Sequence, residues 1–411
     1  MALKPDVVQT RLGCVRMEVV DRKFPRALAL LDKTERLFPG NPSIHLNRAT
    51  VLSRMKRDEE ALALLNAGNA PWAVRTVRER PVAGRDGPAF ACFEAGKHAV
   101  LALGGRPYME DVASDMAARL KGFLPPPRRL ATLPTAPLRA DMPQPVFIFG
   151  FPRSGSKLIE QPLTVHPRIA AGDEPLSIGD ITQIIPGLLA SLLSYPEALA
   201  EIWMGDQRDG LEELRDYYLN RARKAGLFQK GAAFFTDKMP LNETHLGLIA
   251  LLFRQLPVIH MLRHPLDVAL SIYANHLRHD YFCASALESI ARHYVLKADL
   301  MAHYRQVLSL CYLPVRYEEM VASQESEVRK ILDFIGIEFD SRCLSFERNT
   351  RYVRTASYAQ VTEKLYDRSS YRYRTYLKHL TAALNVLCPV IERLGYKINA
   401  PEPANSGDAV C

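Results

Sequence analysis

Short apolar runs alternate with longer stretches of helical spacing over the second two-thirds of the chain. The runs Val146–Gly150, Ala233–Thr236, Val258–Leu262 and Tyr312–Arg316 predict strands. The stretches Lys157–His166, Leu211–Lys224, Asn242–Phe253, Leu266–His276, Ser285–Val307 and Gln324–Ile335 predict helices. Strands that alternate with helices imply a parallel sheet covered on its faces. Residues 339–379 break this rhythm: they are polar, rich in Arg and Tyr and without a clear period, which predicts long loops over a site.

The first third is patterned differently. Arg26-Ala-Leu-Ala-Leu-Leu31 recurs as Glu60-Ala-Leu-Ala-Leu-Leu65, an offset of 34 residues, the period of tetratricopeptide helix pairs. Pro39-Gly40-Asn41-Pro42 separates the two units, Ile44–Leu65 reads as two helices joined near Lys56–Asp58, and a weaker third unit lies around Gly96–Leu103. A plain helical bundle with a chance six-residue match fits the same pattern. Residues 124–145 then carry seven prolines, which no helix tolerates. The expected organisation is a helical tetratricopeptide-like module at 1–123, a proline-rich linker at 124–144 and a catalytic domain at 145–411. The expected fold class is α/β: a P-loop-like parallel sheet flanked by helices, preceded by an all-α tetratricopeptide-like module.

Composition narrows the function. Of 411 residues, 48% are hydrophobic and 24% charged, which excludes a mostly disordered chain. The net charge of +8 is unevenly spread: residues 1–140 hold 23 basic and 14 acidic side chains, residues 141–411 hold 30 and 31. A cationic first third predicts an acidic partner there. Nothing resembles a nucleic-acid-binding signature, so nucleic acid is not expected. Seven cysteines without a CxxC pair read as free thiols in a reducing compartment. The first residues lack the apolar core of a signal peptide, and the longest apolar stretch, near Leu246–Phe253, is far short of the ~18 residues of a membrane span. A soluble cytoplasmic protein with no membrane partner is therefore expected.

The sharpest chemical feature follows the first predicted strand. Val146-Phe-Ile-Phe-Gly150 runs into Phe151-Pro-Arg-Ser-Gly-Ser-Lys-Leu158, a strand, a Gly/Ser turn and a helix start. Unpaired backbone N–H groups and the helix dipole favour an anion at such a turn. Ser154 and Ser156 add hydroxyls, Arg153 a fork for charged oxygens and Lys157 another cation. Gly150 and Gly155 have the spacing of the nucleotide loop GxxxxGK(S/T), but Ser156 occupies the Lys position and Lys157 comes one residue late, about 100° around the helix.

Pro152-Arg-Ser-Gly-Ser-Lys-Leu158 resembles the 5′-phosphosulfate loop of sulfotransferases, usually PRSGTTL in the branch with tetratricopeptide-like N-termini and similar in protein-tyrosine sulfotransferases. The resemblance implies that Arg153, Ser154, Gly155, Ser156, Lys157 and Leu158 hold the donor 3′-phosphoadenylyl sulfate (PAPS). Ser156 matches the family's first Thr; Lys157 replaces the second with an ammonium. Glu174, in Ile169-Ala-Ala-Gly-Asp-Glu174, lies 21 residues after Arg153, similar to the carboxylate base of the tyrosine sulfotransferases, with Asp173 the weaker candidate. Lys238, in Phe234-Phe-Thr-Asp-Lys-Met-Pro240, matches the lysine that reaches the sulfuryl group, and Pro240 stands where small-molecule sulfotransferases place a histidine base. Arg263 and Ser271 match the 3′-phosphate pair, Tyr317 the residue beside the adenine, and Arg368 and Ser369 a stretch that closes over the nucleotide. The implied catalytic groups are Glu174, Lys238 and Arg153.

The reaction so implied is sulfuryl transfer to a hydroxyl on a tyrosine, a carbohydrate or a small alcohol, with an acidic protein or peptide as one acceptor and no metal. Two alternatives stay open. Thr236-Asp237 could hold magnesium in a nucleoside-triphosphate-dependent kinase, or the fold could persist as a non-catalytic adaptor. His276 and His279 have metal-ligand spacing but no third partner.

Overall fold

A computed structural model of the chain describes residues 7–20, 23–55, 57–67, 86–102, 106–123, 136–174, 177–204, 209–253, 255–275, 281–348 and 369–398. Its centre is one parallel sheet of β1 (Gln144–Phe149), β2 (Ile169–Ala170), β3 (Phe234–Lys238), β4 (Val258–Leu262) and β5 (Tyr312–Arg316), in the order β2-β3-β1-β4-β5. Strands after β1 lie first on one side of it and then on the other, so a crevice opens at the carboxyl end of β1. Register aligns what surrounds that crevice: Ile148 of β1 pairs with Lys238 of β3 and with Ile259 of β4. The loop after β1, the end of β3 and the residues after β4 therefore emerge side by side.

All six residues of β1 are buried, as a central strand covered on both faces requires. Their alternation feeds two cores. Phe147 and Phe149 join Tyr218 and Phe253 beneath α10 (Gly210–Lys224) and α11 (Leu246–Leu252). Val146 and Ile148 join Ile159, Leu163, Val328 and Leu332 beneath α7 (Ser156–Leu163) and α15 (Gln324–Ile335). A third cluster ties α12 (Pro265–Tyr273) to α13 (Leu287–Val307) and α16 (Thr381–Arg393). Local chemistry supports these helices. In α10, Glu212 and Glu213 lie in the first turn and Arg221, Arg223 and Lys224 in the last, matching the helix dipole. Helix α15 stops at Gly336, where φ is 82°.

Six helices precede the sheet: α1 (Val8–Val20), α2 (Phe24–Leu37), α3 (Pro42–Arg54), α4 (Asp58–Ala67), α5 (Asp86–Ala102) and α6 (Glu110–Phe123). The repeated hexamer falls at the start of α2 and of α4, and its equivalent alanines, Ala27 and Ala61, are both fully buried. Leu12, Val15, Leu31 and Ile44 form a core of their own among α1 to α3. Helices α5 and α6 instead bury Phe90 and Leu120 in the clusters around the sheet. Of the proline-rich stretch, residues 136–143 are described and held down: the Ala136 amide donates to the Leu251 carbonyl at 3.1 Å.

Some elements differ from the pattern. Strand β3 runs two residues further than predicted, taking in Asp237 and Lys238. The helix predicted from Asn242 opens instead as a 3-10 turn, Pro240–His245, before α11. Helices α8 (Ser177–Leu188), α9 (Ala200–Met204), α14 (Tyr317–Ala322) and α16 and the 3-10 segment Arg372–His379 were not anticipated. Internal prolines, Pro186 and Pro389, interrupt the pattern of two of them. Among the described residues, no helix is long and apolar enough to cross a membrane.

Candidate active site

The turn after β1 is built by backbone conformations that few residues adopt. Gly150 has φ 150°, Arg153 φ 74° and Gly155 φ 104°. A Cβ on Gly150 would stand 2.3 Å from the Met261 carbonyl oxygen, and one on Gly155 would stand 2.6 Å from the Tyr317 ring. Both positions require glycine for space as well as for dihedral angle. The turn delivers the chain into α7, so Ser156, Lys157 and Leu158 form its first turn. Ser154 is 2% exposed, and its hydroxyl has no hydrogen-bond partner. Buried polar atoms are nearly always paired, with protein or with water, so this hydroxyl is open to an outside partner.

Arg263 follows β4 and meets this turn directly. Its guanidinium donates to the Arg153 carbonyl at 3.1 Å and to the Ser369 carbonyl, and lies 4.6 Å from the Tyr317 ring centre. Arg153 in turn donates through Nε to Ser271 Oγ of α12 at 3.1 Å. Arg153, Arg263, Ser271, Tyr317 and Ser369 thus share one continuous surface. The Nε of Arg263 is buried and has no hydrogen-bond partner, a second orphan at the site. Asp267 backs the arginine at 3.9 Å and accepts the Tyr373 amide at 2.7 Å, joining α12 to the chain that follows Ser369. Burial pushes the Asp267 carboxyl up to about 6, against the pull of Arg263. Arg368, and the pair His276 and His279, lie outside the described residues.

On the other side of β1, Lys238 ends β3 and makes an ion pair with Glu174. The lysine is 1% exposed, whereas the Glu174 side chain is 37% exposed, so the carboxylate faces outward from a buried ammonium. Lys157 lies inward too: it is 5% exposed, with Nζ 3.8 Å from Asp173 Oδ1. Its displacement from the nucleotide-loop position turns it towards the carboxylates after β2. Burial, then the charge of Lys238, pulls the Lys157 ammonium down to about 8.

Two buried carboxylates lie here, and the first of them, Glu160, gave no signal in the sequence. Glu160, one turn beyond Ser156 on α7, is 2% exposed and accepts the Asp173 amide at 3.0 Å and the Thr236 hydroxyl at 2.9 Å. Burial raises its carboxyl above the ordinary range, while Lys238 and Lys157 oppose that rise. Asp237 accepts the Tyr218 hydroxyl at 2.6 Å and the Asn242 amide at 2.9 Å, one on each oxygen, and burial pushes it up to about 7. Both its oxygens are engaged within the protein, which disfavours a magnesium ligand and hence the kinase alternative. The Asp237–Lys238 stretch is wholly interior, the residues being 0% and 1% exposed.

Residues 145–341 match the sequence model described as the sulfotransferase family. A segment of 251 residues is 30% identical to an uncharacterized protein of Aquifex aeolicus, covering 59% of this chain and 32% of that protein. Over 222 residues the chain is 27% identical to protein-tyrosine sulfotransferase 1 of Danio rerio, covering 50% of this chain and 57% of the relative. The chain thus spans about a third of the first relative's length and a little over half of the second's. A solved sulfotransferase domain, from the olefin synthase of Synechococcus PCC 7002, aligns at 24% identity and a TM-score of 0.45, over 63% of this chain and 97% of that domain. The turn after β1 and the ends of β3 and β4 all fall inside the segment, residues 145–341, over which the chain is similar to the sulfotransferase family.

Proposed function

We propose that the protein transfers a sulfuryl group from 3′-phosphoadenylyl sulfate to an acceptor hydroxyl. One observation carries this reading: the Arg153 turn and the Arg263 guanidinium touch, with Lys238 and Glu174 paired at the end of the neighbouring strand. Two anion-binding groups and a carboxylate base then border one crevice. The residues fit a bisphosphorylated ligand, because the Ser154 hydroxyl and Arg263 Nε are buried and unpaired and two glycines keep the turn open.

In this reading Arg153, Ser154, Gly155, Ser156, Lys157 and Leu158 hold the 5′-phosphosulfate, and Arg263 with Ser271 the 3′-phosphate. Tyr317 borders the adenine, and Arg368 and Ser369 close over it. The donor supplies a sulfur centre activated by its anhydride link to phosphate. Glu174, the exposed member of its ion pair, takes the proton from the acceptor hydroxyl as oxygen bonds to sulfur. Lys238 and Arg153 neutralise the charge that develops on the departing phosphate oxygen as the sulfur–oxygen bond of the anhydride breaks. The cations in place supply this neutralisation without a metal. The excess of basic residues in 1–140 supports an acidic protein or peptide, with tyrosine as its hydroxyl, as acceptor. The paired helices α1 to α4, with period 34, support a tetratricopeptide-like module at 1–123, ahead of a linker at 124–144 and a catalytic domain at 145–411. Five described cysteines are free, which supports a reducing, cytoplasmic setting.

Transfer of sulfate from labelled donor to an acidic tyrosine peptide tests the reading. Glu174→Gln should cut turnover about 10²–10⁴-fold while binding of 3′,5′-bisphosphoadenosine stays within about threefold. Full turnover in that variant would refute the base assignment. Thermal stabilisation by Mg-ATP but not by the bisphosphate would favour a kinase instead.

A further inference from the structure

The carboxylate of Glu160 lies where three parts of the site meet, and no substrate role falls to it. It belongs to α7, the helix that the phosphate turn feeds. Its Oε1 accepts the backbone amide of Asp173, in the loop that carries Glu174, and the hydroxyl of Thr236, in the strand that ends at Lys238. The same hydroxyl accepts the Gly172 amide at 2.9 Å, and the Lys238 amide donates to the Asp173 carbonyl at 2.9 Å. Residues 172–174 are thereby stitched to β3 with Glu160 at the knot. Its Oε2 is buried and makes no hydrogen bond. The charged groups around it are Lys157 from its own helix, Asp173 from the loop, and Asp237 and Lys238 from β3, with Thr236 the neutral contact; Glu174 pairs with Lys238 beyond them.

We propose that Glu160 is a positioning residue of the site: it fixes the Glu174 loop against the Lys238 strand, and its negative charge supports the Lys157 ammonium that receives an anionic donor. The inference rests on the sulfuryl-transfer reading. A buried cation keeps its proton only where a nearby anion offsets its desolvation. Lys157 titrates at about 8, with Glu160 the largest influence holding it up. Removing that charge moves the loss of the proton to lower pH.

The test is the pH dependence of 3′,5′-bisphosphoadenosine binding by calorimetry on the full chain. Wild-type affinity should decline above about pH 8 as Lys157 loses its proton. Glu160→Gln keeps the size and an acceptor oxygen but removes the charge, and should move that decline down by about one pH unit. In Lys157→Gln the decline should vanish, and adding Glu160→Gln should shift nothing further. A merely structural glutamate would lower the melting temperature without moving the pH profile. Superimposable profiles for wild type and Glu160→Gln would overturn the inference, whereas failure of the wild type to bind the bisphosphate would overturn the functional reading beneath it. If Glu160→Gln does not fold, hydrogen exchange on the unaltered protein decides: a protected Asp173 amide is expected, and exchange at the rate of an open loop overturns the knot.

Discussion

Replacing Arg263 by alanine separates a ligand contact from a structural one. The guanidinium is 8% exposed, bonds the Arg153 and Ser369 carbonyls and keeps one buried nitrogen unpaired. A charge-assisted hydrogen bond to a phosphate contributes about 1.5–3 kcal/mol, so losing it should weaken 3′,5′-bisphosphoadenosine about 10–150-fold. The substitution also removes the cation 3.9 Å from Asp267, whose side chain is fully buried. That cost is limited, because the Asp267 carboxyl, already pushed up to about 6, can take a proton instead. Some loss of stability is therefore expected, and affinity alone would not isolate the phosphate contact. The decisive comparison is calorimetric titration with two ligands, the bisphosphate and adenosine 5′-phosphosulfate, which lacks the 3′-phosphate. Arg263→Ala should spare the second within about threefold. Equal losses for both would refute the assignment and leave Arg263 as a brace between the turn and the Ser369 segment.

Two further outcomes follow from packing and titration. A Cβ at Gly172 would stand 1.8 Å from the Thr236 carbonyl oxygen, so Gly172→Ala should displace the Glu174 loop and cost about 1–3 kcal/mol; an unchanged thermal melt would refute the close approach. Burial holds His264 down at about 4 and His260 at about 3, so the unfolded chain binds their protons more readily than the folded one. Their contribution to stability is full above about pH 6.5 and is lost as pH falls towards those values. His264→Asn keeps an acceptor for the Leu266 amide and should flatten the acid side of the melting profile; an unaltered slope would refute the claim.

The scaffold was readable where apolar residues recur with a clear run or period. Val258–Leu262, Tyr312–Arg316 and Gln324–Ile335 have the bounds that the apolar pattern predicts. The pattern stopped short in β3, since Asp237 and Lys238 read as the start of a loop. They remain in the strand because Tyr218 and Asn242 satisfy the aspartate, and Glu174 the lysine. Strand β2, two residues long, is below what any period can reveal. The site divides in the same way. Arg153, Ser154, Lys238 and Arg263 stood out through motif and order, and the fold brings them to one edge. Glu160 had no such signal: a glutamate one turn into a helix ordinarily faces water, and only the fold shows that this one lies beneath the Glu174 loop.

The charges at this edge explain one another. Lys157 and Lys238 are both almost wholly buried, a costly placement unless anions accompany them. Asp173, Glu174 and Glu160 supply those anions in the free protein. Under the proposed reaction, an arriving phosphosulfate brings negative charge of its own to the same lysines. Lys238 then no longer needs Glu174, and the carboxylate is released to accept a proton. The exposed position of Glu174 lets it turn to an acceptor hydroxyl at the moment the donor is seated. Glu174→Gln bears directly on this exchange. A neutral side chain competes less for Lys238, so donor binding should be held or tightened while turnover collapses. If binding and turnover fell together instead, the ion pair would be a structural strut and proton removal would have to be sought elsewhere along the crevice.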